Sequence, residues 1–136
     1  MFTKSCQYAI RAVIYMTAQK GVEKNMGVKE MADALQVPQH FLAKILQQLS
    51  RHNLISSVKG PNGGFYLSEA NAHVSLLDIV ECIDGKGVLN SCILGMPTCS
   101  SEHPCPLHHH FYSSREGLKA SLSTCSIDGM LKGKIC

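Results

Sequence analysis

The strongest constraint on the fold is the order of two short helical patterns and a glycine-rich turn between residues 28 and 67. The first pattern places Met31 and Leu35 on one face and ends near Val37. Pro38 then suits the first turn of a second helix, where its missing N–H is not needed. Five apolar residues of this second helix are expected to face inward: Phe41, Leu42, Ile45, Leu46 and Leu49. Two short helices joined by a turn of about three or four residues are typical of a helix-turn-helix.

A β-hairpin is expected directly after the second helix. Residues 55–59 and 65–67 have the composition of two short strands. Between them, the glycines of Gly60–Gly64 supply the positive φ angles that a hairpin loop needs. A hairpin in this place is the wing of a winged helix-turn-helix. The predicted fold class is therefore mainly α, with a two-stranded wing, a cysteine-rich loop and a long C-terminal helix.

The second helix and the wing carry the candidate contacts to DNA. Long polar and cationic side chains on the outward face of the helix can reach base edges and phosphates in a major groove. Lys59 at the edge of the wing can lie against the phosphate backbone. A solvated helix face without a ligand is the alternative. The candidate DNA-binding residues are Gln39, His40, Lys44, Gln48, Lys59, Gly60, Asn62 and Gly63.

The second half of the chain predicts two further helices separated by a loop. Ser75 and Asp78 form a capping-box pattern at the start of the first one. The second begins near Leu107, and its single apolar stripe has too little neighbouring chain to cover it. We therefore expect a homodimer in which this stripe, Phe111, Leu118 and Leu122, packs between subunits. The expected division is a DNA-binding domain (1–85), a cluster-binding loop (86–106) and a dimerisation helix with a tail (107–136).

The charge of the chain is unevenly distributed. Residues 1–67 contain eight Lys and Arg against three Asp and Glu, a net charge of +5, and residues 68–136 have a net charge of −2. A basic front half fits a polyanionic partner. No apolar run approaches the roughly 20 residues that cross a bilayer, and the N-terminus lacks the pattern of a secretory signal. We therefore expect a cytoplasmic protein.

Three of the seven cysteines fall in one loop. Six residues separate Cys92 from Cys99, and five separate Cys99 from Cys105. Thiolates select zinc, copper(I) or iron–sulfur clusters, and structural zinc usually favours closer ligand pairs than these. The wider gaps favour a multi-iron cluster, while zinc, a redox disulfide and unliganded thiols stay open as alternatives. The remaining cysteines are scattered: Cys6, Cys82, Cys125 and Cys136. Of these, Cys6 and Cys82 lie in apolar helical patterns.

Four segments together match one known pattern. They are Tyr8–Ala12, Phe41–Leu46, Gly60–Phe65 and the loop that holds Cys92, Cys99 and Cys105-Pro106-Leu107-His108. In these segments the chain resembles the Rrf-type winged-helix regulators over nearly its whole length. The resemblance implies a homodimer that binds operator DNA with two-fold character and carries an iron–sulfur cluster near the dimer interface.

The resemblance also implies a ligand set. Cys92, Cys99 and Cys105 correspond to cluster ligands, and His108 to the fourth ligand of a [2Fe-2S] cluster. Other members of the family take a ligand from the first helix of the second subunit, at positions that hold Gln7 and Arg11 in this chain. An amide is a poor iron ligand and a guanidinium stays protonated, so these residues favour His108. A [4Fe-4S] cluster with a different fourth ligand stays an alternative.

The leading hypothesis is a transcriptional regulator whose affinity for DNA is controlled by a cluster that responds to iron supply, redox state or nitric oxide. The alternative is a cluster-free thiol-redox or zinc-dependent winged-helix regulator. An electron-transfer protein would also hold a cluster but would leave the winged helix unexplained. The sequence contains no glycine-rich phosphate loop, nucleophile elbow or paired carboxylates, so we do not expect an enzyme.

Overall fold

The computed structural model describes residues 2–19 and 25–133 of the chain. These residues form six α-helices and one β-hairpin. The helices are α1 (Lys4–Ala18), α2 (Val28–Leu35), α3 (Gln39–Arg51), α4 (Leu76–Asp84), α5 (His108–Thr124) and α6 (Ile127–Leu131). The strands are β1 (Ser56–Val58) and β2 (Gly64–Tyr66), and short 3-10 helices span Glu69–Asn71 and Lys86–Leu89. The predicted fold class, mainly α with a two-stranded wing, is confirmed. Cys136 lies outside the described residues.

Helix α1 lies at the centre of the core because its small and aliphatic residues recur every three or four positions. Ala9, Ala12, Val13 and Met16 are at most 1% exposed, and the helix packs against α3, α4 and α6. Its first turn is capped by Thr3, whose side chain accepts a hydrogen bond from the Cys6 N–H at 3.1 Å. The core is therefore aliphatic and is organised around one helix.

The connection between α2 and α3 is a three-residue turn. Gln36 adopts a left-handed conformation with φ of 56°, and the N–H of Val37 donates to the carbonyl of Ala32 at 3.1 Å. Pro38 is the extended N-cap residue of α3, so it precedes the first turn instead of lying in it as predicted. The predicted helix-turn-helix is present.

The end of α3 is closed by a Schellman motif. Asn53 has a φ of 62°, and its N–H donates to the carbonyl of Ser50 at 3.0 Å. The N–H of Leu54 donates to the carbonyl of Leu49, also at 3.0 Å. Asn53 therefore ends the helix in the left-handed conformation that the sequence predicted.

The wing is shorter than predicted and has a third pairing partner. Its strands pair in antiparallel register, with Ser57 opposite Phe65. Met26, just before α2, forms an isolated bridge with Phe65 through two N–H···O hydrogen bonds of 2.8 Å. A Cβ atom at Gly64 would lie 2.2 Å from the Met26 carbonyl oxygen, so only glycine permits this approach. The base of the wing is thus attached to the start of the helix-turn-helix.

A buried asparagine joins the wing to the end of α3. Asn71 is 2% exposed. Its side-chain oxygen accepts from the Ser56 hydroxyl at 2.9 Å and from the Ser68 N–H at 3.0 Å. Its side-chain N–H donates to the carbonyl of Asn53 at 3.1 Å. One side chain therefore links β1 and the segment that follows β2 to the end of α3.

Helix α4 begins with the predicted capping box, since Ser75 and Asp78 exchange side-chain to backbone hydrogen bonds. At its other end the carboxylate of Asp84 accepts from the N–H of Thr3 at 3.1 Å and from the hydroxyl of the same residue. In the same last turn, the carbonyl of Cys82 accepts from the side chain of Gln48 at 3.0 Å. These bonds attach α4 to both α1 and α3.

Helix α5 lies against its own chain along only part of its length. Leu118 and Leu122 are half-buried against a small cluster of Cys6, Val80 and Leu89, whereas Phe111 is 38% exposed. The stripe predicted to lie between subunits is therefore divided, because two of its three residues pack within the subunit. No helix among the described residues is both long enough and apolar enough to span a membrane.

The end of the described chain returns to the core. Ile127, the first residue of α6, is fully buried, and its N–H donates to the carbonyl of Val74 at 2.8 Å. The N–H of Leu76 donates to the carbonyl of Cys125 at the same distance. The segment after α5 therefore contributes to the core of the N-terminal helices, which its sequence did not indicate.

We expect Asn71→Ala to lower the free energy of unfolding by about 1–3 kcal/mol, because it leaves buried partners without hydrogen bonds. Urea unfolding followed by circular dichroism measures this change. Asn62→Ala, at the exposed tip of the hairpin, is the control and should change stability by less than about 0.5 kcal/mol. Equal stabilities of the two variants would contradict a structural role for Asn71.

Candidate functional site

The outward face of α3 carries a row of polar and basic side chains. His40, Lys44, Gln47 and Arg51 follow one another at intervals of four, three and four residues and are all exposed, which places them on one face of the helix. Gln39 is exposed at the start of the helix. Arg51 was not among the residues predicted from the sequence, although its spacing from Lys44 and Gln47 is the signal that identifies it.

Gln48 does not belong to this face. It is half-buried, and its side-chain N–H donates to the carbonyl of Cys82 on α4. Its side chain is therefore occupied within the protein, contrary to the outward direction that the sequence suggested. Phe41, predicted to face inward, is 37% exposed and packs edge-on against the ring of Tyr8, with 5.8 Å between the ring centroids.

The wing and the last turns of α3 form the two sides of a groove. Its volume is about 640 Å³, and Gln47, Arg51 and Lys59 are among the residues that line it. The hydroxyl of Ser50 on α3 donates to that of Ser57 on β1 at 3.1 Å and links the two sides. Lys59, Gly60 and Asn62 are exposed at the tip of the hairpin, and Gly63 is half-buried. The groove combines hydroxyl, amide and cationic groups, which are the groups that contact a phosphate backbone.

The second candidate site is formed by the loop between the Lys86–Leu89 turn and α5. The sulfur atoms of Cys92, Cys99 and Cys105 lie within 4.8 Å of one another. The Sγ atoms of Cys92 and Cys105 are 3.5 Å apart. His108, the first residue of α5, places its Nδ1 3.3 Å from the Sγ of Cys99. The structure therefore brings together the three predicted cysteines and sets His108 beside one of them.

Backbone N–H groups point at these sulfur atoms. Hydrogen bonds from the N–H of Met96 and, to a smaller extent, of Leu94 lower the pKa of the Cys92 thiol to about 7. Between these two residues, Gly95 has a φ of 71°, a conformation that an L side chain rarely adopts. The loop therefore favours the thiolate form of Cys92, which is the form that binds metals.

The environment of Cys99 is more balanced. The N–H of Cys105 donates to its sulfur at 3.3 Å and favours the thiolate. Burial and the neighbouring sulfur atoms of Cys105 and Cys92 act in the opposite direction and outweigh that bond, so the pKa of the Cys99 thiol is raised. Three closely spaced thiolates repel one another, and a bound cation relieves this repulsion.

Two cysteines outside the loop, Cys6 and Cys82, pack against apolar residues of the helices. Cys6 is fully buried, and its burial, together with the charge of Asp84 and a hydrogen bond to it, raises the pKa of its thiol to about 12. Burial also raises the pKa of Cys82. Both therefore stay protonated at neutral pH, as expected for residues that fill space in the core.

Comparison with known proteins identifies the family of this chain. Residues 2–133 match the family model Rrf2, described as an iron-dependent transcriptional regulator. The chain belongs to the Rrf2 family. Members of this family that resemble it are named transcriptional regulators, not enzymes, so the protein is a transcriptional regulator with a DNA-binding winged helix.

Curated Rrf2 relatives match most of the chain. A putative HTH-type transcriptional regulator of Aquifex aeolicus is 32% identical over 111 residues, which is 80% of this chain and 76% of that protein. The HTH-type transcriptional regulator NsrR of Geobacillus kaustophilus is 30% identical over 107 residues, which is 71% of this chain and 70% of that protein.

Solved structures share the fold. CymR of B. subtilis, described as the global cysteine regulator, superposes with a TM-score of 0.74 over 99% of this chain and 98% of its own, at 18% identity. IscR of T. potens superposes with a TM-score of 0.71 over 98% of this chain and 87% of its own, at 17% identity. The winged-helix architecture is thus common to all three proteins.

We expect Lys59→Ala to weaken binding to every duplex by a similar factor, because a phosphate contact does not depend on sequence. The slope of log K against log salt concentration should decrease by about one. Fluorescence anisotropy with operator and unrelated duplexes from low to moderate salt measures both effects.

Lys132→Ala provides the control, since Lys132 is an exposed lysine in an ion pair with Asp128, outside α3 and the wing. This variant should bind as wild type does. An unchanged salt slope for Lys59→Ala would show that Lys59 does not contact a phosphate.

Proposed function

We propose that this Rrf2 protein is a homodimeric transcriptional regulator whose affinity for operator DNA is controlled by an iron–sulfur cluster. Cys92, Cys99 and Cys105 hold the cluster, which is of the [2Fe-2S] type, and His108 is the fourth ligand. The observation that carries the proposal is the convergence of three sulfur atoms within 4.8 Å in one loop. The protein acts in the cytoplasm on double-stranded operator DNA.

The chemistry of the donor set fits such a cluster. Thiolates are the usual ligands of iron–sulfur clusters, and hydrogen bonds to the sulfur atoms tune them. Here Cys92 accepts from the backbone of Met96 and Leu94, and Cys99 accepts from the N–H of Cys105. The site is an irregular loop stabilised by its own backbone, and its three cysteines are not spaced as the cysteine pairs of common structural zinc sites are.

The chain itself provides a path from this site to the DNA-facing helix. Cys92 follows α4 after one short 3-10 helix, and α4 receives the hydrogen bond from Gln48 of α3. When bound, a cluster supplies a redox-active group that oxidants and iron starvation can alter or remove. A change in the loop can thus displace α4 and, through Gln48, change the orientation of α3.

Three consecutive segments of the chain have the three proposed functions. Residues 1–85 bind DNA, residues 86–106 bind the cluster, and residues 107–136 contribute the dimer contact. Support for the dimer comes from the exposed aromatic residues of α5, Phe111 at 38% and Tyr112 at 47%, and from exposed Ile93 of the loop, which lines the same cavity as Phe111. Two copies of α3 would then contact two half-sites of one operator.

A cluster-free thiol regulator is the second candidate. It is favoured by the 3.5 Å separation of the Cys92 and Cys105 sulfur atoms, since a small movement would allow a disulfide bond. A crystal structure of the oxidised form of CymR of Staphylococcus aureus, a structural neighbour, is known. The metal content of anaerobically purified protein separates the candidates, because the first requires iron and sulfide and the second does not.

We expect Cys92→Ser, Cys99→Ser and Cys105→Ser each to lose the iron, the acid-labile sulfide and the visible absorption of anaerobically purified protein, because each removes a thiolate ligand. His108→Ala should assemble the cluster but release it faster to a chelator. Cys82→Ser is the matched control, a half-buried free thiol outside the loop, and should retain iron as wild type does. Colourless wild-type protein without iron or sulfide would favour the second candidate.

We expect cluster-loaded and cluster-free protein to differ at least about tenfold in affinity for a duplex selected from a random pool, which corresponds to roughly 1.4 kcal/mol of coupling. Anaerobic anisotropy titrations of both forms at one salt concentration measure this ratio. Equal affinities would exclude control of DNA binding by the cluster even if iron and sulfide were present.

We expect Phe111→Asp to convert the dimer to a monomer, because it places an uncompensated charge in an apolar contact. Operator affinity should fall with it, since two half-sites are no longer bound together. Sedimentation velocity measures the first effect and anisotropy the second. Ser113→Asp, on the same helix at an exposed position, should stay dimeric. A dimeric Phe111→Asp variant would assign the subunit contact to another surface.

A further inference from the structure

Arg115 on α5 has an unusual environment for a cation. Its Nη1 donates to the carbonyl of Ser91 at 2.6 Å, and its guanidinium lies 5.9 Å from the ring centroid of Tyr112. Its Nε is buried and has no hydrogen-bond partner. The side chain is thus directed at the residue before Cys92 and retains an unused donor.

The neighbouring cation on the same helix is compensated. Lys119 forms an ion pair with Glu116 at 3.6 Å and donates to the side chain of Asn90 at 2.7 Å. None of the ion pairs among residues 2–19 and 25–133 includes Arg115. A half-buried charge without an opposite charge is costly, which indicates that an anion belongs nearby.

The cysteine site supplies such an anion. Arg115 and Cys92 line the same cavity of about 540 Å³. The remainder of its wall is largely apolar, including Leu89, Ile93 and Phe111. An apolar wall lowers the local dielectric constant and strengthens the attraction between a guanidinium and a thiolate-ligated centre.

We propose that Arg115 is a positioning residue that fixes the Ser91–Cys92 backbone and is the counter-cation of the loaded cysteine site. This inference rests on the proposed function, since it assigns the anion to a cluster bound by Cys92, Cys99 and Cys105. A cluster with three thiolate ligands carries net negative charge, which increases on reduction. A nearby cation favours the reduced form, so Arg115 raises the reduction potential.

The decisive experiment is an anaerobic redox titration of four cluster-loaded proteins. Arg115→Met removes the charge and the donor, and its midpoint potential should shift to a lower value than wild type. Arg115→Lys keeps the charge and should restore most of that shift. Lys119→Met is the matched control, because Lys119 holds the adjacent Asn90 but already has an acidic partner, and its potential should stay near that of wild type.

Hydrogen–deuterium exchange of the cluster-free proteins tests the positioning role separately. Loss of the bond to Ser91 should speed the exchange of amides in residues 87–96 about fivefold in Arg115→Met, the factor expected for one ordinary hydrogen bond. Arg115→Lys should exchange more slowly than Arg115→Met, since an ammonium can still donate to the Ser91 carbonyl.

The outcomes are distinguishable. A wild-type potential in Arg115→Met overturns the counter-cation role, and so does an equal shift in Lys119→Met. Unchanged exchange overturns the positioning role. If Arg115→Met keeps its potential but becomes monomeric in sedimentation, the missing anion belongs to a second subunit and the inference is wrong. If wild-type protein binds no cluster, the proposed function and the counter-cation role both fail, and exchange alone decides the positioning role.

Discussion

The packing of α4 against three other helices is the constraint on which the rest of the structure depends. The helix contacts α1, α3 and α5, and the 3-10 helix that leads into the cysteine-bearing loop also packs against it. The positions of α3 and of that loop therefore both depend on α4. Its apolar residues Ile79 and Val80 are fully buried. Because a packed interior does not deform continuously, the proposed control of DNA binding requires that a displacement at one end of α4 shift its neighbours as whole helices.

Polar bonds at the edges of this packing determine how the helices are oriented. Asp84 joins the end of α4 to Thr3 at the start of α1, and Gln48 of α3 bonds to Cys82 in the last turn of α4. Asn71 likewise joins the wing to the end of α3 by donating a hydrogen bond to the carbonyl of Asn53. Asn71 is buried and Gln48 is half-buried, and polar groups in such places are costly to leave unpaired, so these two side chains favour one arrangement of the elements they join.

The two candidate sites differ in how far they could be predicted. The outward residues of α3 follow from helical spacing, which correctly placed His40 and Lys44 at the surface. Gln48 was misplaced because helical spacing reports which residues share a face and not which part of the chain lies opposite. The three loop cysteines were recognised by their clustering, but spacing alone did not indicate which N–H groups or cations would surround them.

The sequence by itself determined the order of helices, turn and wing, the left-handed cap at Asn53 and the group of cysteines, because local conformational preferences and nearest neighbours suffice for these features. Only the tertiary structure decided that Met26 pairs with Phe65, that Ile127 returns to the core and that Arg115 faces Ser91. Each of these contacts joins residues at least 24 positions apart. Contacts over such separations depend on how the apolar faces of the helices pack together, which no local pattern records.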